Sequence, residues 1–216
     1  MLNASFFITV ADIAGLPDES FAEVAFAGRS NAGKSSAINT IALHKRLAFV
    51  SKTPGRTQHL NFFQVADQRY LVDLPGYGYA RAPLEQQRGW QSLIGGYLAS
   101  RPPLRGLIVI MDARHPFTDL DIQLLEWFHA TGKPVHVLLS KSDKLNRGEC
   151  TLTLMKAKAQ LEKMGLDGTA QLFSSLKRTG VDEAEAVIRQ WLDLPKAPPK
   201  ARTTPDSGQK KPGSRG

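Results

Sequence analysis

Gly28-Arg29-Ser30-Asn31-Ala32-Gly33-Lys34-Ser35 is the stretch on which the reading of this chain turns. It follows a short apolar run, Ala22 to Ala27, interrupted only by Glu23. It opens a run with helical character, Gly33 to Ile41. Strand, glycine-rich turn and helix in that order are the context of a phosphate-binding loop. Gly28 and Gly33 let the backbone wrap close to a phosphate with no Cβ in the way. Consecutive amide N–H groups from Arg29 to Lys34 and the helix N-terminus then point at the anion. Lys34 supplies a cation between β- and γ-phosphates, and the Ser35 hydroxyl is a hard oxygen ligand suited to Mg²⁺.

Outward from this loop, apolar runs alternate with helical patterns. Leu60 to Val65 and Tyr70 to Leu74 read as strands joined by a tight polar connection at Asp67-Gln68, a hairpin. Gln86 to Ser100 predicts a helix with Trp90, Leu93, Ile94, Tyr97 and Leu98 on one face. Leu107 to Met111 and Val135 to Leu139 read as buried strands. Thr118 followed by Asp121 resembles a capping box opening a helix that holds Leu124, Leu125 and Phe128. Leu152 to Met164 predicts a helix, Gln171 to Phe173 a short strand, and the stripe Val181, Ala184, Val187, Ile188, Trp191 a last helix. The expectation is an α/β fold: about six strands in a mostly parallel twisted sheet, one antiparallel edge strand from the hairpin, and helices on both faces. Trp90, Trp127 and Trp191 are expected in the core.

Three further motifs fall at strand ends. Asp73-Leu74-Pro75-Gly76 closes the hairpin's second strand. There an aspartate can hold the shell of a Mg²⁺, usually through water, and the Gly76 amide can meet a γ-phosphate. Ser140-Lys141-Ser142-Asp143 follows another apolar strand. A carboxylate at Asp143 accepts two hydrogen bonds from guanine, at its ring N–H and its exocyclic amine, a donor pair adenine lacks; a site built around such a pair discriminates by about 10⁴–10⁵. The aliphatic stem of Lys141 can lie along the base. Phe173-Ser174-Ser175 offers backbone amides to the guanine carbonyl. In this order the motifs point to GTP or GDP as ligand.

The 216 residues suit one domain with a short appendage, and 42% hydrophobic against 22% charged excludes bulk disorder. No apolar run approaches the roughly 18 residues that span a bilayer, so no membrane partner is expected. Met1 to Val10 carries no Lys or Arg and Asp12 breaks its apolar stretch, which argues against a secretory signal. The single cysteine, Cys150, excludes an intrachain disulfide and a cysteine-based zinc cluster; a cytoplasmic location is expected. Of the net charge of +8, much sits after Pro195, where Lys196, Lys200, Arg202, Lys210, Lys211 and Arg215 face only Asp206. That stretch holds five of the 13 prolines and no aromatic, and reads as a disordered basic tail. Attraction to nucleic acid and plain solubilisation both stay open for it. The expected division is an N-terminal extension over 1–21, a nucleotide-binding domain over 22–194 and the tail over 195–216.

From Glu23 to Trp191 the chain resembles the EngB (YihA/YsxC) family of small translation-associated GTPases. The resemblance rests on Val24 to Ser36, on Ser51-Lys52-Thr53-Pro54-Gly55-Arg56-Thr57-Gln58 followed by Asn61-Phe62-Phe63, and on Asp73 to Ala80. It implies a Ras-like P-loop GTPase fold, binding of GTP and Mg²⁺, a part in maturing the large ribosomal subunit and its rRNA, and a requirement in septation and cell division. It also makes Gly55, Arg56, Thr57, Gln58 and His59 the first switch, with Thr57 and Ser35 on the metal. A monomer is expected. Serine at 140, where GTPases usually carry asparagine or threonine, implies a looser tie to the phosphate loop. Many GTPases orient the attacking water with a glutamine just after Asp-x-x-Gly. Here Tyr77 stands in that place, so intrinsic hydrolysis is expected to be slow, on the order of 10⁻⁴–10⁻³ s⁻¹. Asn31 resembles the asparagine that helps bind K⁺ in potassium-activated GTPases; a local backbone role is the alternative. Arg56, His59, Arg81 and Arg88 with Tyr77 and Tyr79 suit either an RNA surface or a solvated basic face. A nucleotide-dependent scaffold with little hydrolysis and a P-loop small-molecule kinase are the competing functions.

Overall fold

The computed structural model describes residues 2–44, 46–48, 59–78 and 93–197. Seven strands, β1 (Ser5–Val10), β2 (Ala22–Gly28), β3 (Leu60–Ala66), β4 (Arg69–Asp73), β5 (Leu104–Asp112), β6 (Val135–Ser140) and β7 (Gly168–Leu172), make one sheet in the order β1-β3-β4-β2-β5-β6-β7. β4, β2, β5, β6 and β7 pair in parallel, and β3 runs antiparallel to both β4 and β1. The helices are α1 (Lys34–Ile41), α2 (helical over 93–100), α3 (Asp119–His129), α4 (Arg147–Lys163) and α5 (Val181–Trp191).

The mostly parallel α/β architecture is as expected, with seven strands rather than about six. The additional one is β1, in the stretch expected as an extension; it lies outside the antiparallel β3. Five of its six residues are exposed, so burial left no pattern to read. What makes Ser5–Val10 a strand is the free edge that β3 offers it. The start of α4 also differs from the expected Leu152. Asn146 caps the helix by accepting from the Glu149 amide, and Glu149 caps back onto the Asn146 amide, which sets the first turn at Arg147.

β5 shows why its sequence is continuously apolar. Leu107, Val109 and Met111 face one core layer with Tyr97, Leu125 and Phe128, while Ile108 and Ile110 face the other with Ile38 and Ile188. A strand covered on both faces has no solvent side to alternate with. The tryptophans do not share the role expected of them. Trp191 is half-buried against β5, where any side chain on Gly106 would collide with its ring at 2.7 Å. Trp127 is 44% exposed, which corrects its core assignment. Its ring lies over Gly95 of α2 and keeps its other side in water. Trp90 falls outside the described residues.

Glu23, the one charge in an otherwise apolar strand, is fully buried. Its carboxylate accepts from the Tyr97 hydroxyl at 2.7 Å and from Arg101 Nε at 3.0 Å, and Arg101 also donates to the Pro17 carbonyl at 2.6 Å. Burial, and then the Glu23 charge, push the Tyr97 phenol well above its ordinary value. The network pins α2 to β2. Removing one partner of a buried ion pair leaves the other charge stranded, at a typical cost of about 3–5 kcal/mol. Arg101→Ala is therefore expected to lower the unfolding free energy by about 3 kcal/mol in urea titration, Tyr97 softening the loss. A change below about 1 kcal/mol would contradict the network's structural role.

Candidate functional site

The four motifs converge at the carboxyl ends of the parallel strands, where open α/β sheets bind ligands. The loop from Gly28 to Gly33 leaves β2 with no room for side chains at its root. A Cβ on Gly28 would stand 2.9 Å from the Ile110 carbonyl oxygen. Gly33, at the helix N-cap, has φ +100°, a conformation that other residues rarely adopt. Between them the Ala32 amide closes a turn onto the Arg29 carbonyl at 2.9 Å, with Asn31 at φ 65°. Lys34 and Ser35 begin α1. The Lys34 ammonium forms an ion pair with Asp73 at the end of β4, both side chains about nine-tenths buried. The Ser35 hydroxyl and the Asp73 carboxylate are hard oxygen donors, the kind that hold Mg²⁺ together with ligand phosphates. Among the described residues no three His, Cys, Asp or Glu side chains converge to cage an ion by themselves.

The segment after Asp73 is laced to the loop. The Leu74 amide donates to the Phe26 carbonyl at 3.0 Å, extending the strand pairing by one step. The Ser30 amide donates to the Tyr77 carbonyl at 2.9 Å, and the Tyr77 amide to the Gly28 carbonyl at 3.4 Å. Pro75 and Gly76 lie between these anchors, and a Cβ on Gly76 would be only 3.6 Å from the Ser30 nitrogen.

The base-side motifs are equally braced. Ser140 Oγ donates toward the Ala32 carbonyl at 2.5 Å, with the Met111 carbonyl at 3.0 Å. The tie expected to be loose with serine at this place is thus made directly to the phosphate loop. The Lys141 ammonium bonds the Asn31 carbonyl at 2.7 Å and Asp112 at 3.0 Å, so its stem is stretched between β5 and the loop. Arg114, and behind it Lys141, holds the Asp112 carboxyl well below the usual range. The Ser142 hydroxyl donates to the Phe173 carbonyl at 3.0 Å. Asp143 accepts from the Ser174 hydroxyl at 2.5 Å, and that hydroxyl accepts from the Lys177 amide at 3.0 Å. One carboxylate oxygen of Asp143 is thereby fixed, while Asp143 and Ser175 both stay half-buried.

Gly55, Arg56, Thr57, Gln58, Tyr79, Arg81 and Arg88 fall outside the described residues; His59 is exposed just before β3. Tyr77 corrects an expectation, because it is no exposed aromatic for RNA. It is 5% exposed, and its hydroxyl donates to Asp121 Oδ1 at 2.6 Å. The other oxygen of Asp121 accepts from the Thr118 amide at 2.9 Å and from its hydroxyl at 2.8 Å, completing the capping box of α3. Burial and the Asp121 charge raise the Tyr77 phenol well above its ordinary value. Asp121 and Asp112 are the site residues that sequence reasoning missed. The capping box signalled Asp121 without its partner, and Asp112 announced itself only as an acid ending an apolar strand. Tyr77→Phe would leave a buried carboxylate oxygen unmatched, which typically costs about 1–3 kcal/mol. Thermal and urea unfolding are expected to show a drop in that range; an unchanged stability would contradict the contact.

The chain matches the family model described as 50S ribosome-binding GTPase over residues 23–141. It is 56% identical over 208 residues to the "Probable GTP-binding protein EngB" of Dechloromonas aromatica, covering 95% of this chain and 94% of that one. To the protein of the same name from Azoarcus sp. it is 58% identical, covering 88% and 91%. Among solved structures, a GTP-binding protein EngB superposes with a TM-score of 0.63 at 19% identity, over 80% of this chain and 99% of that chain. Aquifex aeolicus Era bound to GDP and AlF4⁻ also gives 0.63, at 19% identity over 83% and 58%; at that identity both speak for the fold alone. A glycine-rich loop between strand and helix, and an acid held at a neighbouring strand end, thus meet a close sequence likeness over nearly the whole chain, which belongs to the EngB family of GTP-binding proteins and is a GTPase.

Proposed function

We propose that this GTPase acts as a guanine-nucleotide switch in assembly of the large ribosomal subunit, and that normal septation and cell division depend on it. The family model's description as a 50S ribosome-binding GTPase supports the partner. The observation that carries the switch is the position of Tyr77, bonded through its backbone to the phosphate loop and through its hydroxyl to α3. A γ-phosphate meeting the Gly76 amide pulls on a segment whose next residue is anchored in another helix, so the nucleotide state reaches the outer surface.

The chemistry needs chiefly positioning and charge neutralisation. The loop amides and Lys34 cradle the phosphates, Asp143 accepts the guanine donors, and the Lys141 stem lies along the base. Ser35 and Thr57 would hold a Mg²⁺ with Asp73 behind, and bound there it neutralises phosphate charge. Tyr77 turns its hydroxyl inward to Asp121, so the place just after Asp-x-x-Gly holds no glutamine-like group to orient water; intrinsic hydrolysis is slow and a ribosomal surface accelerates it. Asn31 is exposed at the loop's crest and is the place for an activating K⁺. The protein works in the cytoplasm as a monomer.

Asp143→Asn is expected to weaken GTP binding by at least about 100-fold and to shift preference toward xanthosine nucleotide; an unshifted preference would place the base elsewhere. In sucrose gradients of lysate, the protein is expected in the large-subunit fractions with a non-hydrolysable GTP analogue and near the top with GDP. Residence at the top in both states would overturn the ribosomal reading.

A further inference from the structure

The end of the sheet opposite the nucleotide carries an unusual group. Phe21 precedes β2, Arg69 opens β4, Arg105 is the second residue of β5, and Lys133 lies just before β6. All four therefore sit at the amino ends of the parallel strands. β2 separates them from the phosphate loop by roughly 20 Å, from about 3.3 Å per strand residue. Phe21 is 45% exposed and flanked by both guanidinium groups, Arg69 at 4.7 Å and Arg105 at 5.4 Å from the ring centroid.

Among the described residues no carboxylate bonds these cations, although the Glu23 charge acts on Lys133. Among the described residues Arg69 donates to the Leu192 and Asp67 carbonyls, Arg105 to the Phe21 carbonyl, and Lys133 to the Arg101 and Leu104 carbonyls. Among the described residues none of the three forms an ion pair. Lys133 is close enough to Arg105 that the guanidinium, after burial itself, lowers its affinity for a proton. Asp67 and Glu19 stand near Tyr70 on this end without bonding either arginine through a carboxylate. Arg69 also holds the carbonyl at which α5 ends.

We infer that this pole is a second, nucleotide-independent binding surface for single-stranded RNA. The arginines, held by Phe21, bond phosphates and stack on bases. Guanidinium groups suit this because their planar N–H forks match phosphate oxygens and their faces stack on bases. Phe21 is a positioning residue: it fixes the planes of two side chains that would otherwise lose rotamer freedom on binding. The inference takes only the class of polyanion from the ribosomal reading, and it concerns a different face from the switch loops.

The test is fluorescence anisotropy of a short labelled single-stranded RNA with the full-length protein, titrated with KCl. Arg69→Gln/Arg105→Gln is expected to weaken binding about tenfold and to flatten the log–log salt slope by about 1.4, since each phosphate neutralised on a single strand contributes about 0.7. Phe21→Ala is expected to weaken binding severalfold and Phe21→Tyr to restore it, with GDP and a GTP analogue giving equal affinities. Since Arg69 also ties the end of α5, Arg105→Gln alone, expected to flatten the slope by about 0.7, carries the test if the double variant melts early. Wild-type affinity and slope in these variants would overturn the inference, as would binding to anionic vesicles but not to RNA. Large-subunit migration by variants that keep wild-type RNA binding sinks this inference alone; failure to migrate with pole-dependent RNA binding sinks the ribosomal reading alone.

Discussion

Lys34 and Asp73 come from the beginning of α1 and the end of β4, and their ion pair joins two chain segments that are adjacent only because β2 and β4 pair in parallel. The rest of the site is arranged around that contact. It ties the start of α1 to the strand end from which Leu74 to Tyr77 depart. A parallel register slipped by one residue would turn Asp73 to the other face of the sheet. The pair therefore depends on the buried β2–β4 interface of Val24, Ala25, Leu71 and Val72, and the site depends on the pair.

Around that centre the motifs brace one another rather than standing alone. Ser140 and Lys141 each bond a carbonyl of the phosphate loop, so the base-reading segment and the phosphate-gripping segment share a frame. Ser174 fixes one oxygen of Asp143, and β7 is held to β6 by His136, whose ring bonds Thr169 at 2.7 Å and Gln171 at 2.8 Å. Burial lowers that imidazole's affinity for a proton, which keeps it a neutral hydrogen-bonding group at physiological pH. A carboxylate held in this way is preorganised as a hydrogen-bond acceptor, which is what the proposed reading of guanine asks of Asp143.

The phosphate loop and the two acid-bearing motifs were legible because each combines an unusual residue set with a strand end. Gly28 and Gly33 are required by a carbonyl 2.9 Å away and a φ of +100°, which are backbone demands that sequence records faithfully. Strand β1 was not legible, since its exposed residues answer to a neighbour's free edge and not to a buried face. Trp127 misleads because helical spacing places a residue on a side of its helix without saying how large the opposing residue is, and here that residue is Gly95. Tyr77 reads as a solvent-facing aromatic because it stands between two glycines and its tertiary partner, Asp121, lies 44 residues away. Pairwise contacts across such distances leave no periodic trace.

The molecule thus has a phosphate-loop end, where the segment from Leu74 to Tyr77 is laced to the loop, and a basic end, where arginines flank an aromatic ring. The phosphate-loop end is the one on which the GTPase reading stands. Isothermal calorimetry of the full chain with magnesium tests it most directly. GTP and GDP should each release heat with one-to-one stoichiometry while ATP gives none, and no heat from either guanine nucleotide would contradict that reading at its base.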